Sequence, residues 1–272
     1  MNFKNIIDLH THTDNSFDGN HSAMFMCESA YLKGLRAVAF TDHIEIDRFY
    51  SGNFDMTARQ AYFYVANARS AFDGKLIVCN GIELGQPAYE PQIAEELLSR
   101  FNYDIVIGSV HNLRGRKDFC DLDYQTEAAN YADLVDEYFD EELALVRWGK
   151  FDTLAHLTYP LRYIIGEQKL PIDLSRYTDK IDTILRTLAQ SGKALEINTS
   201  GLRQPLNETM PSAGIVKRFR ELGGEYITVG SDAHYAQHLG ANIGDGLEIA
   251  KECGFRYVSL FKDRNPTPVP IE

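Results

Sequence analysis

Asp104-Ile105-Val106-Ile107-Gly108-Ser109-Val110-His111 is a nearly unbroken apolar run that stops on a histidine. A strand exposed on one face alternates apolar and polar residues. This run is apolar on both faces, the pattern of a strand buried in a parallel sheet. Similar runs recur at Ile6 to Leu9, Leu35 to Phe40, Leu76 to Cys79, Thr153 to Ala155, Ala194 to Ile197, Tyr226 to Val229 and Tyr257 to Phe261. Six of the eight histidines stand just after such a run, among them His43 in AVAFTDH and His156 in FDTLAH.

Segments of helical period separate the runs. Tyr131, Leu134, Val135, Tyr138, Phe139, Leu145 and Val146 fall on one stripe; Leu174, Tyr177, Ile181, Ile184, Leu185 and Leu188 fall on another that stops at Gly192. The chain thus reads βαβα throughout. Seven or eight such units in 272 residues, with no Pro/Gly/Ser-rich linker, predict one α/β domain over residues 1–272. That number of units favours a closed (β/α) barrel over an open doubly wound sheet. In parallel α/β folds the loops at the carboxyl ends of the strands converge on one cavity. His10, His12, Asp42, His43, Glu83, His111, His156, the stretch Asn198 to Arg203, Asp232 and His234 all follow runs, so they are expected to share it.

Composition narrows the function classes. Lys and Arg total 27 against 39 Asp and Glu, a net charge of −12 that disfavours polyanions, so no nucleic acid partner is expected. Cys27, Cys79, Cys120 and Cys253 form no CxxC pair, which suits free thiols in a reducing compartment. The start, MNFKNIIDLHTHTD, lacks an apolar signal core, and no apolar run approaches the ~18 residues of a membrane span. A cytoplasmic protein without membrane attachment is expected.

The histidines carry the chemistry. In His10-Thr11-His12, residues i and i+2 point to one side of a strand, so both imidazoles can bind one ion. Asp232-Ala233-His234 repeats that spacing with a carboxylate and an imidazole. Glu83 sits between Ile82 and Leu84, where a carboxylate wants a cation and can bridge two of them. Asp18 lies in Ser16-Phe17-Asp18-Gly19, which read alone is an Asp-Gly turn. Asp42 is expected to orient His43, and Asp8 to be structural. His21 and His238 are left outside the cluster. Imidazoles gathered with Asp18, Glu83 and Asp232 predict a multinuclear metal site and a metal-dependent hydrolase.

The ordered series DLHTHT, TDH, GIEL, SVH, AH and SDAH, spanning Asp8 to His234, resembles the polymerase and histidinol phosphatase (PHP) superfamily of metal-dependent phosphoesterases. The resemblance implies a distorted (β/α)7 barrel of the PHP type, with the metal site at the carboxyl ends of the strands and three divalent ions (Zn, Mn or Fe). Carried over by position, it gives one ion to His10, His12, Glu83 and Asp232, a second to Glu83, His111 and His156, and a third to Asp18, His43 and His234. Within the superfamily the chain is most similar to the histidinol-phosphate phosphatases, which implies that Arg162 and Arg203 hold the substrate phosphate. A guanidinium suits that task, since it offers phosphate a planar donor fork.

The expected reaction is hydrolysis of the small phosphate monoester L-histidinol phosphate to L-histidinol and phosphate, a step of histidine biosynthesis, by a hydroxide bridging two ions ~3.5 to 4 Å apart. Glu83 would hold the ions together, and Asp232 or His234, or a water they polarise, would protonate the leaving oxygen. The alternatives are a PHP phosphodiesterase or exonuclease, a phosphatase of another small ester, and a PHP scaffold without catalysis. A strand-binding enzyme should show a Lys/Arg-rich stripe, and none is visible. A scaffold should lack ligands, and none is missing. An amidohydrolase commonly places a lysine where Glu83 stands.

Overall fold

The computed structural model describes residues 3–126 and 129–272. Its main sheet has seven staves in chain order: β1 (Ile7–Thr11), β2 (Ala37–Phe40) continued by β3 (His43–Glu45), β4 (Ile77–Gly85), β5 (Ile105–Ser109), β6 (Thr153–Leu154), β7 (Ala194–Asn198) and β8 (Ile227–Gly230). Every pairing along this path is parallel. The ends meet at a single bridge, Thr11 to Ala233, flanked by hydrogen bonds from Asp232 N to His10 O (2.8 Å) and from His12 N to Ala233 O (2.9 Å). The sheet is thus nearly closed into a barrel, and the closing contact lies among His10, His12, Asp232 and His234.

Helices α1 (Ala23–Leu32), α2 (Phe54–Ala71), α3 (Pro91–Arg100), α4 (Tyr131–Trp148), the single turn α5 (Tyr159–Leu161), α6 (Thr178–Gln190), α7 (Ala213–Glu221) and α8 (Ile243–Glu252) surround it. The stripe of α4 is buried as its period predicts. The second stripe is split: Leu174–Tyr177 is a 3-10 turn capped by Asp173, and α6 starts at Thr178, burying Ile181, Ile184, Leu185 and Leu188. Each such side chain contributes roughly 1.5–3 kcal/mol on leaving water. No helix of the described residues is long and apolar enough to cross a membrane.

Three strand readings need correction. Tyr257–Lys262 (β9) is not a barrel stave; it pairs antiparallel with β10 (Asn265–Pro270), so Asp232-Ala233-His234 follows the last stave. A buried hairpin strand and a barrel stave share one apolar pattern, and periodicity cannot part them. The Leu76 to Cys79 run extends to Gly85, which puts Glu83 inside β4. Gly81 makes this possible, because a Cβ there would lie 2.7 Å from Thr41 Cγ2 and 2.8 Å from Ile105 Cγ2. Thr41 and Asp42 interrupt β2, and the stave resumes at His43.

Candidate metal centre

The registers of the staves bring the site together. His43 on β3 is the direct partner of Glu83 on β4. His111 and His156 follow β5 and β6, while His10 lies within β1 and His12 just beyond it. Glu83 stands at the centre, fully buried. Its Oε1 lies 3.1 Å from His111 Nε2 and 3.1 Å from His156 Nε2. Its Oε2 lies 3.3 Å from His10 Nε2, 3.6 Å from His12 Nε2 and 2.9 Å from His43 Nδ1. Asp232 Oδ1 completes one side, 3.4 Å from His12 Nε2 and 3.9 Å from His10 Nε2. At the mouth, His43 Nε2 is 3.4 Å from His234 Nε2, and Asp18 reaches both, at 3.7 and 3.0 Å.

These separations fit ions. Donors about 2.1 Å from one cation sit roughly 3.0–3.4 Å from each other. His10 Nε2, His12 Nε2 and Glu83 Oε2 are buried, converge on one another and have no hydrogen-bond partner. Buried polar atoms without partners are costly, and a cation that accepts their lone pairs relieves all three. His10, His12 and Glu83 form one compact donor group; His43, Glu83 and His111 form another, and His12, His43 and His234 a third. His43 thus faces two groups with its two nitrogens, while His12 keeps Nδ1 on Ser16 Oγ and stacks its ring on His43 and His234 at centroid distances of 4.2 and 4.1 Å.

The electrostatics also call for positive charge. Burial would raise the Glu83 carboxyl, but His10, His43 and His111 hold it well below the usual range. Burial depresses the His43 imidazole, yet Glu83 and then Asp18 bring it up to about 9. His12 goes the other way, pushed well down by burial and by His234 and His43 beside it. A neutral imidazole among carboxylates is the protonation state a metal ligand requires.

Carboxylates not singled out in the sequence orient these imidazoles, as metal-binding histidines require. Glu196 Oε1 accepts from His10 Nδ1 at 2.7 Å, while its Oε2 accepts from His156 N at 2.9 Å and Asn198 Nδ2 at 3.2 Å. Glu45 Oε1 is 3.0 Å from His111 Nδ1, with Gln86 Nε2 donating to its Oε2. The signal was present: Glu196 is a charge inside an apolar run, and Glu45 stands two residues after His43. Gly230 leaves room for this arrangement, since a Cβ there would fall 2.4 Å from His10 Cβ and 2.6 Å from Glu196 Oε1.

Asp42 does not orient the His43 ring as expected. It accepts from Thr13 N, Thr13 Oγ1 and Ser16 Oγ, and Ser16 Oγ lies 3.2 Å from His12 Nδ1 while accepting from His43 N at 3.1 Å, so its reach is to the His12 ring and the His43 backbone. Asp8 is structural, holding Ser231 and the Gly240 N–H. Asp232 itself adopts φ +53°, a left-handed conformation that Asp tolerates better than most residues. His21 accepts a weak bond from Ala236 N and stays outside the cluster; His238 lines only the cavity above it.

That cavity, of about 480 Å³, opens over the cluster and is lined by Arg162 and Arg203. Arg203 Nη2 donates to Ser231 O (2.5 Å) and Asp232 O (3.1 Å), while its Nη1 is buried without a partner. Arg162 Nε is likewise unpartnered. Arg162 opens a π turn (Arg162–Glu167) that continues α5, a distortion often found at functional sites. Burial lowers the Arg203 guanidinium, and Arg162 nearby lowers it further. Two guanidiniums crowded at one cavity suit a dianion.

The PHP domain family model matches residues 8–200. The chain belongs to the PHP family. The match ends before Asp232 and His234, which the closing bridge carries into this PHP site. This PHP chain is 28% identical over 263 residues to a probable histidinol-phosphatase of Clostridium acetobutylicum, covering 94% of this chain and 97% of that one. It is 29% identical over 257 residues to a probable histidinol-phosphatase of Thermotoga maritima, covering 94% and 95%. Among solved structures, the histidinol phosphate phosphatase of Lactococcus lactis subsp. lactis, complexed with zinc, L-histidinol and phosphate, is similar with a TM-score of 0.76 and 25% identity, covering 96% of this chain and 98% of that one.

Proposed function

We propose that this PHP chain, residues 1–272 acting as one cytoplasmic domain, is a metal-dependent phosphatase that hydrolyses L-histidinol phosphate to L-histidinol and phosphate in histidine biosynthesis. The observation that carries the reading is a buried glutamate whose two oxygens face separate imidazole groups beneath a cavity lined by Arg162 and Arg203. Similarity over nearly the full length to proteins named histidinol-phosphatase supports the choice of ester.

The residues fit three divalent ions. His10, His12, Glu83 and Asp232 would hold the first, Glu83, His111 and His156 the second, and Asp18, His43 and His234 the third. Imidazole with carboxylate accommodates Zn, Mn or Fe. Bound there, the ions supply Lewis-acid polarisation of the phosphoryl group and activation of water at neutral pH. Glu83 fixes the spacing of the first two groups through its two oxygens. Arg162 and Arg203 bind the non-bridging phosphate oxygens and neutralise charge as the transition state forms. Asp232 turns Oδ1 toward His10 and His12, while Asn198 Nδ2 and Ser200 Oγ lie 3.4 Å from its Oδ2. Oδ2 takes the proton of the attacking water and returns it to the departing alkoxide. His234, with Nε2 turned to Asp18, serves as a ligand in this scheme rather than as the acid.

The test is phosphate release from L-histidinol phosphate, beside an aryl phosphate and a phosphodiester, on protein reconstituted separately with Zn, Mn and Fe. A strong preference for histidinol phosphate that chelation abolishes is expected. Turnover of the phosphodiester alone would overturn the substrate assignment.

A further inference from the structure

The cavity over the metal centre holds a carboxylate outside the histidine cluster. Three carboxylates line it: Asp18 and Asp232 belong to the histidine cluster, and Asp118 does not. Asp118 sits with Tyr159 and Tyr163 among the lining residues. Its Oδ1 accepts from Tyr159 Oη at 3.0 Å and from Cys120 N at 2.9 Å, and neither bond uses Oδ2. Tyr159 Oη also meets Tyr163 Oη at 2.9 Å. The Tyr159 ring packs against His111 and His156 at centroid distances of 5.2 and 5.0 Å. Asp118 is therefore tied through one buried tyrosine to the imidazoles of His111 and His156, so its place relative to the histidine cluster is fixed.

The local role of Asp118 is to cap the turn Phe119–Asp121, and serine or asparagine would do that equally well. A cap does not require a charge facing a cavity whose other polar lining, outside the histidine cluster, is arginine, tyrosine, Cys120, Gln204 and His238. Resting on the phosphatase reading above, we infer that Asp118 is a specificity-determining residue: it pairs with a positively charged nitrogen on the alcohol portion of the ester, so that the preferred substrate class is a phosphomonoester of a cationic alcohol. In L-histidinol phosphate the α-ammonium and the imidazole are the available cations. Arg162 and Arg203 take the phosphate and Asp118 takes the cation, so an ester carrying both charges is oriented in one direction.

The experiment uses the full-length, metal-loaded protein and the variants Asp118→Asn and Asp118→Ser, which keep the cap and remove the charge. Steady-state kinetics are measured with L-histidinol phosphate and with the matched pair 2-aminoethyl phosphate and ethyl phosphate, together with inhibition by L-histidinol and by inorganic phosphate. Both variants are expected to lose about 10- to 100-fold in kcat/KM on the cationic esters, the worth of one charge-assisted hydrogen bond, mainly through KM. Ethyl phosphate turnover and inhibition by inorganic phosphate should stay within about twofold of the parent, while inhibition by L-histidinol weakens in step with KM. Equal losses on all three esters would reduce Asp118 to a structural residue and overturn the inference, as would no loss on any. Should the parent ignore histidinol phosphate yet favour 2-aminoethyl over ethyl phosphate, and the variants erase that preference, the histidinol reading falls while the role of Asp118 stands.

Discussion

Glu196→Gln tests whether the carboxylates behind the histidines govern the metal centre. Glu196 is buried, and its two oxygens serve three donors: His10 Nδ1, His156 N and Asn198 Nδ2. Glutamine keeps the size but has one acceptor oxygen. Whichever way the amide turns, its NH2 faces an N–H, either that of His10 or that of His156. In the first orientation His10 must move its proton to Nε2, the atom aimed at Glu83 and the first ion. In the second a buried backbone donor is orphaned. Replacing a charge-assisted bond by a neutral one loses roughly 1–2 kcal/mol, and a buried unpaired donor costs roughly 1–3 kcal/mol. Metal affinity should therefore fall about 10- to 100-fold, the range seen when such orienting partners are removed. Competition against a fluorescent chelator measures it directly, with circular dichroism to check the fold. An unchanged affinity would refute the claim that Glu196 sets the His10 tautomer.

Arg162→Ala should weaken competitive inhibition by inorganic phosphate about tenfold while leaving metal content intact, because among the described residues no hydrogen bond ties Arg162 to the ligand cluster; Arg203→Ala should lower both, since Arg203 holds the Ser231 and Asp232 carbonyls. Equal metal loss in the two variants would contradict the division of roles. Glu142 provides a pH prediction: burial, only partly offset by the Tyr138 hydroxyl and by His111, pushes its carboxyl up to about 8 from 4.5. The folded protein keeps this proton while the unfolded chain releases it near 4.5, so the contribution is full below pH 4.5 and is lost as pH rises toward 8, at about 1.4 kcal/mol per unit. Glu142→Gln should unfold at higher urea than the parent at pH 8 and show a flatter pH dependence. An unchanged slope in metal-loaded protein would place the titration elsewhere.

Much of the architecture was legible because a buried parallel strand writes itself as an apolar run, and because ligands placed at strand ends fall at predictable points. Glu83 was legible as a charge between Ile82 and Leu84, although its position inside β4 was not, since nothing in the run reveals that Gly81 lets the strand pass Thr41 and Ile105. Tyr257–Phe261 misled because a hairpin strand buried by the barrel has the same composition as a stave. Glu45 and Glu196 went unnamed because the roles of such residues come from pairing across the sheet, over separations of 66 residues to His111 and 186 residues to His10. Asp42 was assigned to the ring of its sequence neighbour, whereas the fold links it through Ser16 to the His12 ring and to the His43 backbone alone.

The central claim is that Glu83 bridges ions in a catalytic cluster. Anomalous diffraction from crystals grown with zinc, recorded on the parent and on Glu83→Gln, tests it most directly. The account predicts anomalous peaks on either side of the Glu83 carboxylate in the parent, a third between Asp18, His43 and His234, and loss of at least the first two in the variant together with phosphate release. Peaks that persist unchanged in the variant, or full activity without any ion beside Glu83, would contradict it.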